Sequence, residues 1–158
     1  LAVPSNGLHS NGFSLVRSVL KKNKIPRNLE KELLKPTKIY TNEILKSVEK
    51  NYINALAHIT GGGLVENLLR SIPENLCLNL DLSLIKIQKI FKWLKKQNLS
   101  DYEMMKTFNC GVGFCIILPE KNISKINDFF SKKFKPYRIG HVSSKRKGKV
   151  NLIKTLKW

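Results

Sequence analysis

The chain has 158 residues, a formal net charge of +18 and 42% apolar residues. That length and apolar content suit one domain of ordinary size with a real core and argue against a disordered tail. No apolar run approaches the ~20 residues that cross a bilayer, and the first residues lack the basic start and long apolar stretch of a secretory signal. The charge comes almost entirely from lysine, because arginine occurs only at 17, 27, 70, 138 and 146. Together with abundant Asn and Ile, this reads as compositional drift, with lysines spread over helix surfaces. Arginine forks and stacking aromatics, the usual readers of nucleic acid, are sparse. No nucleic-acid partner is therefore expected.

In chain order, residues 1–12 read as a loop with a turn. Phe13 to Lys22 has helical spacing with Asn11 as its expected N-cap, Asn28 to Leu34 is a short helix, and Lys35-Pro36 ends it. A helix from Thr41 to Lys50 is expected to turn Ile44, Leu45 and Val48 inward. Ala55 to Thr60 reads as a buried strand, Leu64 to Ser71 as a helix and Leu76 to Leu82 as an alternating strand. Leu84 to Lys96 carries an amphipathic helical stripe of Ile87, Ile90, Phe91 and Leu94. Ser100 and Glu103 form a capping box for the next helix. Phe114 to Leu118 is a strand stopped by Pro119, Ile123 to Lys132 a helix, and Tyr137 to Val142 and Lys149 to Leu156 are strands. The dense basic run from Ser144 to Lys149 reads as a turn, so the last two strands are expected to form a hairpin. Interleaved strands and helices give an α/β or α+β class with a mixed sheet flanked by helices, in one domain over 1–158.

Two glycine-rich corners carry the chemistry. Gly7-Leu8-His9-Ser10-Asn11-Gly12 and His58-Ile59-Thr60-Gly61-Gly62-Gly63 each precede an amphipathic helix. A helix start presents unpaired N–H groups and the positive end of its dipole, and glycine admits a ligand oxygen close to the backbone. Such corners suit phosphate, with the Ser10 and Thr60 hydroxyls and the Asn11 amide as further donors. The same residues also suit a plain turn or a close packing contact. His9 and His58 are candidates for polar contact or proton transfer. Gly111 and Gly113 flank a strand start, where a bulge or close approach is expected.

The only aspartates, Asp81, Asp101 and Asp128, stand far apart, and no phosphate loop ending in Gly-Lys-Ser/Thr occurs. No metal site is expected in this chain; a nucleotide's magnesium would be held by another domain. Cys77, Cys110 and Cys115 form no C-x-x-C pair, which favours reduced thiols and a cytoplasmic location.

Four ordered stretches bear a resemblance: residues 7–17 (Gly-Leu-His-Ser-Asn-Gly-Phe-Ser-Leu-Val-Arg), 33–40 (Leu-Leu-Lys-Pro-Thr-Lys-Ile-Tyr), 57–68 (Ala-His-Ile-Thr-Gly-Gly-Gly-Leu-Val-Glu-Asn-Leu) and 107–113 (Thr-Phe-Asn-Cys-Gly-Val-Gly). They resemble the C-terminal half of the phosphoribosylformylglycinamidine cyclo-ligase family, the aminoimidazole ribonucleotide synthetases, and Tyr137 to Val142 resembles that family's final strand. The resemblance implies an ATP-dependent ligase of purine biosynthesis. Such an enzyme closes the imidazole ring of formylglycinamidine ribonucleotide. It implies a homodimer whose N-terminal domain, not within this chain, carries the Mg-ATP motifs. The active site would be the cleft between the domains, with Gly7, Ser10, Asn11, Gly12, Thr60, Gly61, Gly62, Gly63, Asn109 and Gly111 binding phosphate or substrate. His9 and His58 would be its candidate proton-transfer residues. Asn6 departs from an expected serine, and Val65 and Leu69 from expected prolines. A basic nucleic-acid module, selenophosphate synthetase and thiamine-monophosphate kinase are the alternatives, the last two as relatives of the same fold.

Overall fold

The structure is a computed structural model that describes residues 1–144 and 149–158. Among the described residues the strands form two three-stranded sheets. In the first, β1 (Ala2–Pro4) and β2 (Ala55–His58) flank a central β4 (Val112–Ile117), all antiparallel. In the second, β5 (Gly140–Ser144) runs antiparallel and β6 (Val150–Ile153) parallel to the central β3 (Leu76–Asp81). The helices are α1 (Phe13–Leu20), α2 (Arg27–Leu33), α3 (Thr41–Glu49), α4 (Gly63–Arg70), α5 (Lys89–Lys95), α6 (Asp101–Thr107) and α7 (Ile123–Asn127). This is an α+β domain with one mixed and one antiparallel sheet.

The first sheet is covered on both faces, and strand alternation sends neighbouring residues to opposite sides. Ala2, Ala57 and Cys115 point into the larger core with Phe91, Leu94, Met104 and Phe108. Val3, Leu56, Phe114 and Ile116 point into a smaller core with Tyr40, Ile44, Ile126 and Phe130. Because both faces are buried, β4 is apolar throughout instead of alternating with polar residues.

Several expectations are corrected. Residues 2–4 are a strand, not a loop; the pairing partner of Ala2 is Cys115, a long-range contact with no local signal. β5 and β6 do not pair as a hairpin, because β3 lies between them; the proposed turn falls largely on 145–148, outside the described residues. Leu45 and Val48 face outward at 51% and 44% exposure, while Ile44 and Ser47 form the inward row. Ser47 is accommodated there because its hydroxyl donates to the Glu43 carbonyl. The helix expected from Leu84 starts only at Lys89, after a 3-10 turn at Leu82–Leu84 capped by Asp81. The helix expected to run to Lys132 ends at Asn127.

The capping box is formed: the Ser100 hydroxyl accepts from the Glu103 N–H and the Glu103 carboxylate accepts from the Ser100 N–H. Ser100→Ala removes one side of it. It should lower the unfolding free energy by about 1 kcal/mol, read from the urea midpoint at unchanged m-value.

Candidate functional site

The two glycine corners lie side by side. Gly12 and Gly62 are the N-caps of α1 and α4, both left-handed (φ 82° and 91°), and neither helix start has a side-chain cap. Asn11 was the expected cap of α1; its side chain makes no such bond, and the glycine holds the cap position instead. The open Cα face of Gly61 looks toward the Asn11 side-chain oxygen across ordinary van der Waals distance. Two uncapped helix mouths therefore meet, and each leaves first-turn N–H groups available to an acceptor.

Each corner is pinned from beneath by a buried asparagine. The Asn67 amide donates to the carbonyls of Thr60, Gly61 and Gly63 (3.4, 3.1 and 2.7 Å) and accepts from the Thr60 hydroxyl at 3.3 Å. The Asn109 amide donates to the carbonyls of Gly7 and Leu8 (2.9 and 3.2 Å). Its oxygen accepts from the Ser5 hydroxyl and the Gly111 N–H (3.0 and 2.9 Å). At 2% exposure Asn109 faces the protein, not a groove. Gly12 packs on Phe108, Gly63 on the Met105 carbonyl and Gly111 on the Lys86 carbonyl, so these three admit close packing. Ser10 is exposed and shares a hydrogen bond with Thr37 at 3.1 Å. The Asn6 amide ties the first corner to Pro36 and Lys38. The 33–40 stretch thus borders the first corner, which it follows in the chain.

The two histidines stand on either side of Tyr40. Ring centroids are 6.1 Å apart for His9 and Tyr40 and 6.2 Å for Tyr40 and His58. Tyr40 is buried, donates to the Pro4 carbonyl at 2.9 Å and closes over Gly113, where a Cβ would strike its ring. His58 lies opposite Phe114 in the β2–β4 ladder and stacks on it at 5.4 Å. It is exposed at the edge of the sheet. His9 is buried with a left-handed backbone (φ 60°). Its Nε2 accepts from the Asn6 N–H at 3.4 Å, and its Nδ1 is sealed from solvent without a partner. The ordinary role of this geometry for His9 is a neutral ring whose Nδ1 carries the proton.

Burial pushes the His9 imidazole down to about 4, and the neighbouring His58 adds to the effect. Burial also lowers His58. Both rings are neutral at pH 7. Burial raises the Tyr40 phenol and lifts the Cys110 thiol to about 12. Cys110 therefore stays protonated, donating to the Met104 carbonyl, and is no nucleophile. Among the described residues no group of three or more His, Cys, Asp or Glu comes together to hold a metal. An apolar groove of about 560 Å³ lies elsewhere, between the C-terminal end of α4 and the two sheets, and includes neither histidine of the corners.

Sequence reasoning named the corner residues but missed Tyr40, Asn67 and Ser5. Tyr40 and Asn67 stand inside the recognised stretches, yet only the folded register shows what they touch. The His9 shift makes a pH prediction. The unfolded chain binds a proton on His9 near pH 6.5 and the folded chain only near 4. Stability should therefore be fully present above about 6.5 and fall as pH drops toward 4. The urea midpoint followed from pH 7 to 4 should decline less steeply in His9→Gln than in the parent.

The sequence matches a family model, AIR synthase related protein, C-terminal domain, over residues 1–153. It is 39% identical to a phosphoribosylformylglycinamidine cyclo-ligase of Ligilactobacillus salivarius over 97% of this chain and 48% of that protein. Another cyclo-ligase, from Neisseria meningitidis, is 34% identical over 92% of the chain and 45% of the relative. The human trifunctional purine biosynthetic protein adenosine-3 is 37% identical over 94% of the chain and 16% of its own length. The chain thus spans about half the length of the cyclo-ligases it matches and a smaller share of the trifunctional protein. With its model matched along nearly the whole chain, the protein belongs to the AIR synthase related family and corresponds to that family's C-terminal domain.

Proposed function

We propose that this chain is the C-terminal half of an ATP-dependent phosphoribosylformylglycinamidine cyclo-ligase. The reaction phosphorylates the amide oxygen of formylglycinamidine ribonucleotide with ATP. The amidine nitrogen then attacks that carbon, phosphate leaves, and the imidazole ring of aminoimidazole ribonucleotide closes, leaving ADP and phosphate. The observation that carries the reading is the meeting of two uncapped helix mouths beside His9 and His58. The named relatives support the reaction class.

In this reading the free N–H groups at the starts of α1 and α4 donate to phosphate oxygens of the substrate. The Ser10 hydroxyl and the Asn11 amide extend that donor set at the surface. Asn67 and Asn109 fix the corners so that the donors need no rearrangement when the ligand arrives. His58, neutral and exposed, takes a proton from the attacking amidine nitrogen. His9, neutral and enclosed, accepts from the Asn6 N–H and steadies the first corner. Magnesium, when bound, offsets charge on the nucleotide phosphates; its ligands belong to an N-terminal domain outside this chain. That domain also forms the other wall of the cleft and the contacts of a cytoplasmic homodimer. Among the described residues no helix is long and apolar enough to cross a membrane.

The test is an assay of the protein that carries this chain together with its N-terminal domain. Given Mg²⁺, ATP and formylglycinamidine ribonucleotide, it should form ADP and aminoimidazole ribonucleotide in equal amounts. ATP consumption without the ring-closed product overturns the reading. His58→Gln should lower kcat by about 10²–10⁴-fold and remove the acid limb of the pH–rate profile. Gly61→Val fills space that is open in the fold, so it should raise KM while leaving the thermal midpoint nearly unchanged.

A further inference from the structure

A second, basic groove opens away from the glycine corners. It has a volume of about 410 Å³ and is lined by residues of three segments: Pro4 and Ser5, Lys86 and Gln88, and the stretch from Lys132 to Tyr137. None of the corner residues lines it. Four lysines, Lys86, Lys132, Lys133 and Lys135, are exposed along it, and no aspartate or glutamate lines it. Among the described residues every ion pair involves other cations, so none of these four ammonium groups is neutralised by a carboxylate.

Two of the four lean on aromatic rings at the groove: Lys86 lies 4.5 Å from the Tyr137 centroid and Lys133 lies 5.4 Å from that of Phe134. Those contacts hold the ammonium groups at the ring faces without neutralising them. The segment is anchored from behind, since the Tyr137 hydroxyl accepts from the Lys86 N–H at 3.1 Å and Ala2 bridges to Tyr137 in the backbone. Gln88 is also fixed. Its amide nitrogen donates to the Ser5 carbonyl and hydroxyl (2.5 and 3.2 Å), which leaves its buried Oε1 without a donor. A buried amide oxygen without a partner costs free energy.

The groove thus combines concentrated, unneutralised positive charge with a wall fixed by the Gln88 amide. Ligand phosphates answer that charge. We propose that this groove binds a small phosphorylated ligand, such as a sugar phosphate, separately from the glycine corners. Its concave, bounded shape suits a small molecule; a nucleic-acid strand would need a charged track extending beyond it.

The experiment titrates the full chain with ribose 5-phosphate and with inorganic pyrophosphate, reading heat or chemical shift. The triple substitution Lys132→Ala, Lys133→Ala, Lys135→Ala should weaken both by about tenfold or more. A charge-matched control, Lys21→Ala, Lys22→Ala, Lys24→Ala, removes exposed lysines remote from the groove and should change binding by less than about twofold. Equal loss in the groove and control variants overturns the proposal, because net charge alone would then explain the binding. Loss confined to Gly61→Val also overturns it and leaves the cyclo-ligase reading standing. Tighter binding of a 20-residue single-stranded DNA than of either probe overturns it in favour of a nucleic-acid surface.

Discussion

Two buried asparagine side chains, Asn67 and Asn109, give each glycine corner its shape. A corner rich in glycine has little side-chain packing to hold it and loses much conformational freedom on folding. Its backbone carbonyls also point away from any regular ladder and need donors. The primary amide answers both demands, since its two N–H groups and its oxygen can reach several backbone atoms at once. Asn67 does this within α4 itself, reaching back over the turn that starts the helix. Asn109 does it across the fold, joining β1's exit at Ser5 to the first corner and to the entry of β4. Neither helix mouth takes a side-chain cap, so N–H groups of each first turn have no side-chain acceptor, and the Gly63 N–H turns back to the Thr60 carbonyl. A corner held by side chains from the ligand side would have blocked the same N–H groups.

The antiparallel sheet then sets the chemistry of the histidines. The β2–β4 register places His58 opposite Phe114, and the same face receives Tyr40 from the segment before α3. An aromatic environment stabilises a neutral imidazole over a charged one by denying it water. His9 enters this environment from the first corner with its ring edge toward Gly113, the one position on β4 where a side chain would collide with both His9 and Tyr40. Gly113 is thus required by ring packing, although its backbone angles are ordinary. Lys38 lies 4.9 Å from the Tyr40 centroid and pairs with Glu43, which keeps its charge from reaching the histidines unopposed.

What could be read from the residues was local. The Ser100–Glu103 cap, the alternating β3 and the strand-to-helix turn before α4 each depend on neighbours within a few positions, and all three are formed. What could not be read was set by partners far along the chain. β1 is three residues of Ala-Val-Pro, too short to carry a period, and it is a strand only because β4 is there to pair with it. The expected hairpin of the last strands failed because β3 offers both of them a longer apolar neighbour than they offer each other. In α3 the apolar Leu45 and Val48 suggested an inward face, but the first sheet accepts only the Ile44 row. The corners themselves were visible as glycine runs; that Gly12 and Gly63 serve packing while Gly61 is open depends on Phe108 and Met105, which the sequence places far away.

The large positive charge has a structural consequence independent of any ligand. With 29 basic and 11 acidic residues, most cations have no carboxylate to meet. The fold handles the surplus in two ways. Exposed lysines such as those at 21, 22 and 24 remain solvated, where mutual repulsion is screened by salt. Others settle over aromatic rings, as Lys106 does on Tyr102 and Lys125 on Tyr52. A ring face attracts the cation without neutralising it. An ammonium group held this way keeps its full charge toward solvent while its stem loses much of its freedom. That combination distinguishes Lys86 and Lys133 from lysines tethered in ion pairs such as Lys35 with Glu32. An incoming anion meets a positioned charge there without first displacing a carboxylate.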